Sequence, residues 1–329
     1  MNDNIKILFI RRGRTRFEDY DLKILSKHFS VTDFQFELNK LHRLVNHVWE
    51  CDYIYYWFPN DYKFFISVLA KIFFKKIIVV GGGQMATADN KENRLYAGVK
   101  YRLFYIFFAR MCLKVSDKVI AVSNYEKNGL LRFVNEKKIK LIHNCVDLSI
   151  FNFNSKKESN TVLTLSQLNW EYYRRKGLDT FVSIAKQLKN YNFTIIGKDH
   201  GDGVKEHILK QNIKNLKILN FISDTDLVSI FRTTDIYCQL SRQEGFGVAL
   251  AESIACGCAP VLSSEGSLPE VGGEGAFYID KSRNIKQIQK AIIQAGSSGE
   301  RMRRVQSDRI IDLCDPKKRE KLLVSYILA

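Results

Sequence analysis

The segment Ser241-Arg-Gln-Glu-Gly-Phe-Gly-Val-Ala-Leu-Ala-Glu-Ser-Ile-Ala-Cys-Gly257 follows a short apolar run, Ile236–Gln239, and leads into an apolar stretch without proline. Strand, glycine-bearing turn and helix in that order form half of a βαβ unit. The first amides of such a helix have no partner within it, and the peptide dipoles add positive potential, so the turn suits an anion without any side chain. Gly245 and Gly247 let the backbone approach that anion closely. Beside them stand two carboxylates, Glu244 before the helix and Glu252 inside it. At about 1.5 Å per residue, the run from Gly247 to Glu252 spans roughly 7–8 Å, the reach across a pyrophosphate from a hexose to a ribose. One carboxylate is thus placed for sugar hydroxyls and the other for ribose hydroxyls, with which charge-assisted bonds are short and strong.

On either side of this turn, short apolar runs alternate with longer segments of helical period, the pattern of a parallel α/β sheet. In the first half, Ile5–Ile10, Val31–Phe36, Tyr53–Trp57, Ile77–Val80, Lys118–Val122 and Lys140–His143 read as strands, with helices at 19–28, 62–73, 92–114 and 124–134. A polar stretch, Asn154–Asn160, follows. Strands resume at Val162–Leu165, Phe193–Ile196, Lys217–Asn220, Ile236–Gln239, Pro260–Ser263 and Ala276–Ile279, with helices at 177–190, 203–212, 224–232, 247–255 and 284–296. A helical tail at 299–328 has no strand after it. The expected fold is α/β: two Rossmann-like doubly wound domains, residues 1–154 and 155–329, facing a cleft, with ligands at the carboxyl ends of the strands.

The Ser241–Gly257 segment resembles the carboxyl-terminal motif of the family-4 (group 1) retaining glycosyltransferases of the GT-B fold, whose hallmark is two glutamates separated by seven residues. The resemblance continues through Ala255-Cys-Gly-Cys-Ala-Pro-Val261 and Ser264-Glu-Gly-Ser-Leu-Pro-Glu-Val271. It implies that Glu244 contacts the donor sugar and Glu252 the ribose, with Gly245, Phe246, Gly247 and Val248 at the diphosphate. A second similar stretch is Leu165-Ser-Gln-Leu-Asn-Trp-Glu-Tyr-Tyr-Arg-Arg-Lys-Gly-Leu178. There the family holds the donor diphosphate with a lysine before the glycine, matched by Lys176, and with an arginine whose place is taken by Gln167. Arg175, or Arg174 beside it, is the substitute cation. A fixed positive charge at the leaving diphosphate stabilises its departure. Glu244 and Lys176 are therefore the catalytic candidates, and Gln167, Arg175 and Glu252 complete the donor site.

The first half resembles the family less. Ser116–Asn124 and Ile142–Asp147 look like the paired segments before the family's interdomain linker, with Cys145 in place of a glycine. Arg11-Arg-Gly-Arg-Thr15 sits where the family has a glycine-rich loop, which makes Arg12 and Gly13 candidates for the phosphate or acceptor. Gly81-Gly-Gly-Gln84 lacks the histidine that many relatives carry there. Asp224-Thr-Asp226 imitates a metal-binding DxD, yet it opens a helix, where capping acids belong. No metal ligands are assigned, and no cofactor is expected beyond the nucleotide-diphosphate sugar as co-substrate.

The chain has 329 residues with 46% hydrophobic and 26% charged content and a net charge of +16, so it has room for two cored domains. Residues 1–150 hold 25 Lys and Arg against 15 Asp and Glu, an excess of 10. Such an excess fits a membrane surface, a phosphorylated acceptor or nucleic acid, and equally a lysine-rich proteome. No stacking-aromatic RNA motif or helix-turn-helix accompanies it, so nucleic acid is not an expected partner. Seven scattered cysteines without a CxxC pair read as buried reduced thiols. The chain starts directly in a strand-like run and no stretch is long and apolar enough to span a bilayer, which reads as a cytoplasmic protein. The aromatic stretch at 101–114 reads as core, with Arg102, Arg110 and Lys114 offering a peripheral contact at the inner membrane face. The function implied is metal-independent, retaining sugar transfer from a nucleotide-diphosphate sugar to a sugar, lipid-linked or other hydroxyl acceptor in cell-envelope polysaccharide or glycolipid synthesis. A catalytically silent scaffold of the same fold and a nucleic-acid-binding protein are the alternatives.

Overall fold

The computed structural model describes residues 5–82, 99–220, 222–280 and 284–329. The chain divides into two compact units, residues 1–145 with 317–329, and residues 146–316.

In the first unit the order is β1 (Lys6–Arg11), α1 (Arg16–His28), β2 (Ser30–Gln35), α2 (Leu41–Glu50), β3 (Tyr53–Trp57), α3 (Asp61–Ile72), β4 (Lys76–Val80), α4 (Val99–Val115), β5 (Lys118–Ala121), α5 (Asn124–Leu130) and β6 (Ile139–Leu141). All neighbouring strands are parallel, in the order β2-β1-β3-β4-β5-β6. The central strands β1, β3 and β4 are nearly continuous apolar runs because both of their faces are covered, whereas the edge strand β2 buries only Phe34. Alternate residues such as Leu8, Ile54, Ile77 and Val119 pack with Leu44, Val48, Ile66, Ala109, Cys112 and Leu130 from α2 to α5. The expected helix at 92–114 is described from Val99 onward, and its residues 92–98 lie outside the described residues, as do Gly83 and Gln84 of the glycine loop. Only part of the 101–114 stretch is core: Phe108, Ala109, Cys112 and Leu113 are buried, whereas Phe104 and Phe107 are exposed.

The second unit runs β7 (Glu158–Leu165), α6 (Trp170–Arg175), α7 (Leu178–Gln187), β8 (Asn192–Ile196), α8 (Val204–Leu209), β9 (Leu216–Leu219), α9 (Asp224–Thr233), β10 (Thr234–Gln239), α10 (Val248–Ala255), β11 (Ala259–Ser263), α11 (Leu268–Gly272), β12 (Phe277–Ile279), α12 (Ile285–Gly296) and α13 (Glu300–Leu313). Its parallel strands lie in the order β12-β11-β10-β7-β8-β9. Read from β9, this is the dinucleotide-fold order 3-2-1-4-5-6, with its switch point between β7 and β10. Ligands of such sheets sit beyond the carboxyl ends of those two strands.

Two boundaries differ from the sequence reading. The expected division at 154/155 lies at 145/146, because residues 146–154 pack on the second unit. The Val146 amide donates to the Cys314 carbonyl (3.1 Å), Phe151 is buried near Phe231, and the Asn154 amide donates to the Cys256 carbonyl (3.2 Å). The tail is not one element of the second domain either. It breaks at Cys314–Asp315, and α14 (Pro316–Leu328) belongs to the first unit.

A buried ion pair helps hold α14 on the first unit. Asp21 on α1 has no exposed surface, and a buried carboxylate requires a charge partner. Arg319 on α14 meets it with two bonds, Nε to Oδ1 (2.7 Å) and Nη2 to Oδ2 (2.8 Å), and gives Nη1 to the Ile142 and His143 carbonyls. The Tyr55 hydroxyl and Trp57 indole also donate to Asp21 Oδ2. Burial pulls the guanidinium down, but the charge and bonds of Asp21 overcome it and hold Arg319 above its ordinary value. All seven cysteines are buried and none forms a disulfide. Breaking a buried pair from one side leaves an uncompensated charge, so Arg319→Met is expected to lose about 3–5 kcal/mol of first-unit stability. Thermal unfolding checks this: a variant that melts with the parent would show that Asp21 finds its neutralisation elsewhere.

Candidate functional site

The site is built at the β7/β10 switch point of the second unit. β10 buries both of its faces, and its residues alternate: Ile236 and Cys238 enter the core cluster while Tyr237 and Gln239 face the other side. After Gln239 the chain turns through Glu244 to Gly247, whose φ of 90° and ψ of 56° are open to glycine but strained for other residues. Gly247 caps α10 without a side chain, so the helix start keeps its positive end undressed.

Glu244 is the hub. Its Oε2 accepts from Lys176 Nζ and from Gln239 Nε2, both at 2.5 Å, and the Gly245 amide approaches Oε1 at 3.3 Å. Its backbone carbonyl accepts from the amide and hydroxyl of Ser267 (3.1 and 3.2 Å). The ion pair is mostly screened from solvent, with side-chain exposures of 18% for Lys176 and 12% for Glu244, and a pair so shielded keeps more of its attraction than a surface pair does.

Lys176 reaches Glu244 because the loop carrying it is held against the β10 turn. Gly177 begins α7 with a φ of 72°, and a Cβ there would overlap the Leu240 carbonyl oxygen, so both the dihedral and the packing demand glycine. The Arg242 amide donates to the Arg175 carbonyl (2.7 Å), and the Arg242 guanidinium meets Asp179 at the start of α7 (2.8 Å) and the Arg174 carbonyl.

Glu252 lies on α10 and is only 2% exposed. Tyr237 is fully buried, and its phenol is pushed well above the ordinary range first by burial, then by the negative charges of Glu244 and Glu252. Both carboxylates therefore act on one buried phenol. Phe246 is buried and Gly245 is half-buried.

Gln167 is exposed on the loop after β7. Arg175 is engaged by its own helix, with Nε 3.4 Å from Glu171 and the guanidinium over the Tyr172 ring (4.3 Å). In the first unit, Arg12 lines a cavity of about 590 Å³ at the ends of β1 and β2, together with Gln35, Phe36, Glu37, Leu38, Asp61 and Tyr62. The Phe36 and Tyr62 rings stack there, with centroids 4.3 Å apart. Gly13 is exposed, and a Cβ at that position would meet nothing within 4 Å, so space does not require glycine there. Asp224 and Asp226 lie in the first turn of α9, capped by Ser223, whose hydroxyl donates to Asp226 Oδ2 (2.6 Å). No group of three or more His, Cys, Asp or Glu side chains suited to a metal ion occurs among the described residues.

The sequence reading missed Gln239 and Ser267. Gln239 carried a usable signal, as a polar residue ending an apolar parallel strand, where ligand-facing residues of this fold gather. Ser267 acts on a backbone oxygen, which sequence spacing does not reveal.

Comparison with known proteins places this geometry. Residues 146–309 match the family described as glycosyl transferases group 1. An uncharacterized glycosyltransferase of Methanocaldococcus jannaschii is 28% identical over 179 residues, 53% of this chain and 46% of that protein. The O-antigen chain mannosyltransferase of Salmonella typhimurium is 24% identical over 259 residues, 72% of each. The chain thus spans less than half the length of the first of these relatives. Among solved structures, the Anabaena protein HepE, crystallised with UDP and glucose, is similar with a TM-score of 0.77 at 14% identity, over 99% of this chain and 100% of that one. The fold is the GT-B fold.

The turn geometry makes a direct prediction. Gly177→Ala forces a non-glycine residue to a positive φ against the Leu240 carbonyl, and is expected to cost about 1–3 kcal/mol from the dihedral alone. Thermal melting measures it, and an unchanged midpoint would show that the Lys176 loop has another conformation of equal energy.

Proposed function

We propose, from the match of residues 146–309 to the group 1 glycosyltransferases, that this chain transfers a sugar from a nucleotide-diphosphate donor to a hydroxyl acceptor, without a metal ion and with retention of anomeric configuration. The observation that carries the proposal is the Lys176–Glu244–Gln239 cluster beside the uncapped start of α10.

Each part has a task. The α10 amides and Lys176 receive the diphosphate. Glu244 accepts bonds from the sugar hydroxyls, and Glu252 from the ribose. In the absence of donor, Lys176 and Glu244 neutralise each other. A bound diphosphate offers Lys176 a second anion, and the sugar hydroxyls give Glu244 new donors, so the pair loosens as ligand replaces it. As the bond between the anomeric carbon and the phosphate oxygen breaks, its electron pair goes to the diphosphate. Lys176 and the helix dipole meet that charge, and positive electrostatics there takes the place a metal ion fills in other transferases. The acceptor oxygen then bonds to the anomeric carbon from the face that the diphosphate leaves, and its proton passes to the departing diphosphate oxygen.

The acceptor belongs to the first unit in this reading, at the cavity beside Arg12. Likeness to an O-antigen chain mannosyltransferase supports a role in cell-envelope polysaccharide or glycolipid synthesis, on a lipid-linked acceptor at the inner face of the membrane.

The test is donor binding and hydrolysis in the presence of EDTA. Uridine-, guanosine- and adenosine-diphosphate sugars are compared, uridine first because HepE was crystallised with UDP. One donor is expected to bind selectively and release its diphosphate slowly. Lys176→Ala is expected to slow release by roughly 10²–10³-fold, the size of losing a group aimed at developing charge. Glu252→Ala is expected to weaken binding of the donor and of the free nucleoside diphosphate alike, because it removes the ribose contact. Failure of a folded parent protein to bind any donor would overturn the proposal, and restoration of activity only by divalent metal would overturn its metal-free part.

A further inference from the structure

Three helices of the first unit are apolar on the side that faces solvent. On α2, Leu44 and Val48 enter the core, while Leu41, Val45 and Trp49, spaced i, i+4, i+8, form a second stripe that is exposed, Trp49 by 65%. On α3, Ile66 and Ala70 are buried, and Phe65, Val68 and Ile72, spaced i, i+3, i+7, are exposed, Ile72 by 63%. Just after α3, Phe74 is 94% exposed in a residue whose φ is positive. On α4, Phe104 and Phe107 are exposed opposite Ala109 and Cys112.

These stripes join. Trp49 meets Phe73 edge-on with centroids 5.2 Å apart, and Phe65 of α3 meets Phe108 of α4 at 5.7 Å, with Phe104 and Phe107 on either side of Phe108 at 4.5 and 5.3 Å. A surface helix normally turns its polar side to water, so three adjacent helices that do the opposite mark an interaction surface.

The charge selects the occupant. α4 ends near Lys114 and carries no acidic residue, and Lys75 and Lys76 follow Phe74. Lys114 is exposed one heptad after Phe107, on the same side of α4. With an excess of 10 positive charges over residues 1–150 (25 − 15), a second copy of this face would be repelled and an anionic surface attracted. Exposed aromatics flanked by lysine and arginine are the composition that lies in a bilayer interface. We infer that the outer face of α2, α3 and α4 docks on an anionic lipid bilayer, with the aromatics in the headgroup layer and the basic residues at the phosphates.

This deepens the proposed reaction on a lipid-linked acceptor, and it is tested without turnover, so either can fail alone. The full-length protein is floated with vesicles of phosphatidylcholine, with and without phosphatidylglycerol. Recovery with the anionic vesicles is expected to exceed that with neutral ones by about tenfold or more, and to fall as salt rises. A Trp49→Ser, Phe65→Ser, Ile72→Ser, Phe74→Ser variant is expected to lose at least about tenfold of that binding, while its circular dichroism and donor binding stay those of the parent. Lys75→Glu with Lys114→Glu is expected to lose the preference for anionic lipid. Equal flotation of parent and four-serine variant would overturn the inference. So would indifference to lipid charge, or a dimer in vesicle-free sedimentation that the four-serine variant abolishes, since the face would then belong to a second copy.

Discussion

A carboxylate with no access to water has to be neutralised, and Asp21 sets that condition for the first unit. α14 brings Arg319, which satisfies both carboxylate oxygens and two carbonyls at the end of the β6 region. Tyr55 and Trp57 from β3 share the same carboxylate. One buried charge therefore ties α1, β3 and the last helix together, and the chain is obliged to return to the unit in which it began. In sequence terms the second unit is an insertion between residues 145 and 317.

The second unit depends on a different balance. Its hub carboxylate, Glu244, is held by Lys176 from the turn between α6 and α7 and by Gln239 from the end of β10. Gly177 lets the two loops approach, and Gly247 starts α10 with no side chain in the way. The arrangement is rigid in its backbone and exchangeable in its charges, which is what an anion site needs if ligand is to enter and leave.

The strands and most helices were legible because parallel strands covered on both faces are continuous apolar runs. Periodicity shows that a helix has an apolar side, but not whether that side faces the sheet. For this reason the aromatic residues at 101–114 read as core, although Phe104 and Phe107 are exposed. The short α2 was missed: with apolar residues on both of its sides, it lacks a single helical stripe. Glu244, Lys176 and the glycines were legible through the family resemblance. Gln239 and Arg319 were not, since each matters through a partner 5 and 298 residues away, respectively. The domain boundary was misplaced for the same reason, because a polar stretch at 154–160 marks a turn into β7 rather than a break in packing.

The seven buried thiols have a practical consequence. Only the thiolate reacts with alkylating reagents, and burial pushes Cys51 and Cys112 up to about 11 and Cys256 up to about 12. The native protein is therefore almost silent to such reagents near neutral pH, and labelling counts molecules that have opened. Cys51, Cys112 and Cys145 belong to the first unit, and Cys238, Cys256, Cys258 and Cys314 to the second. Mapping which cysteines acquire label, and when, gives each unit its own clock for opening, read from a single sample without any added probe site.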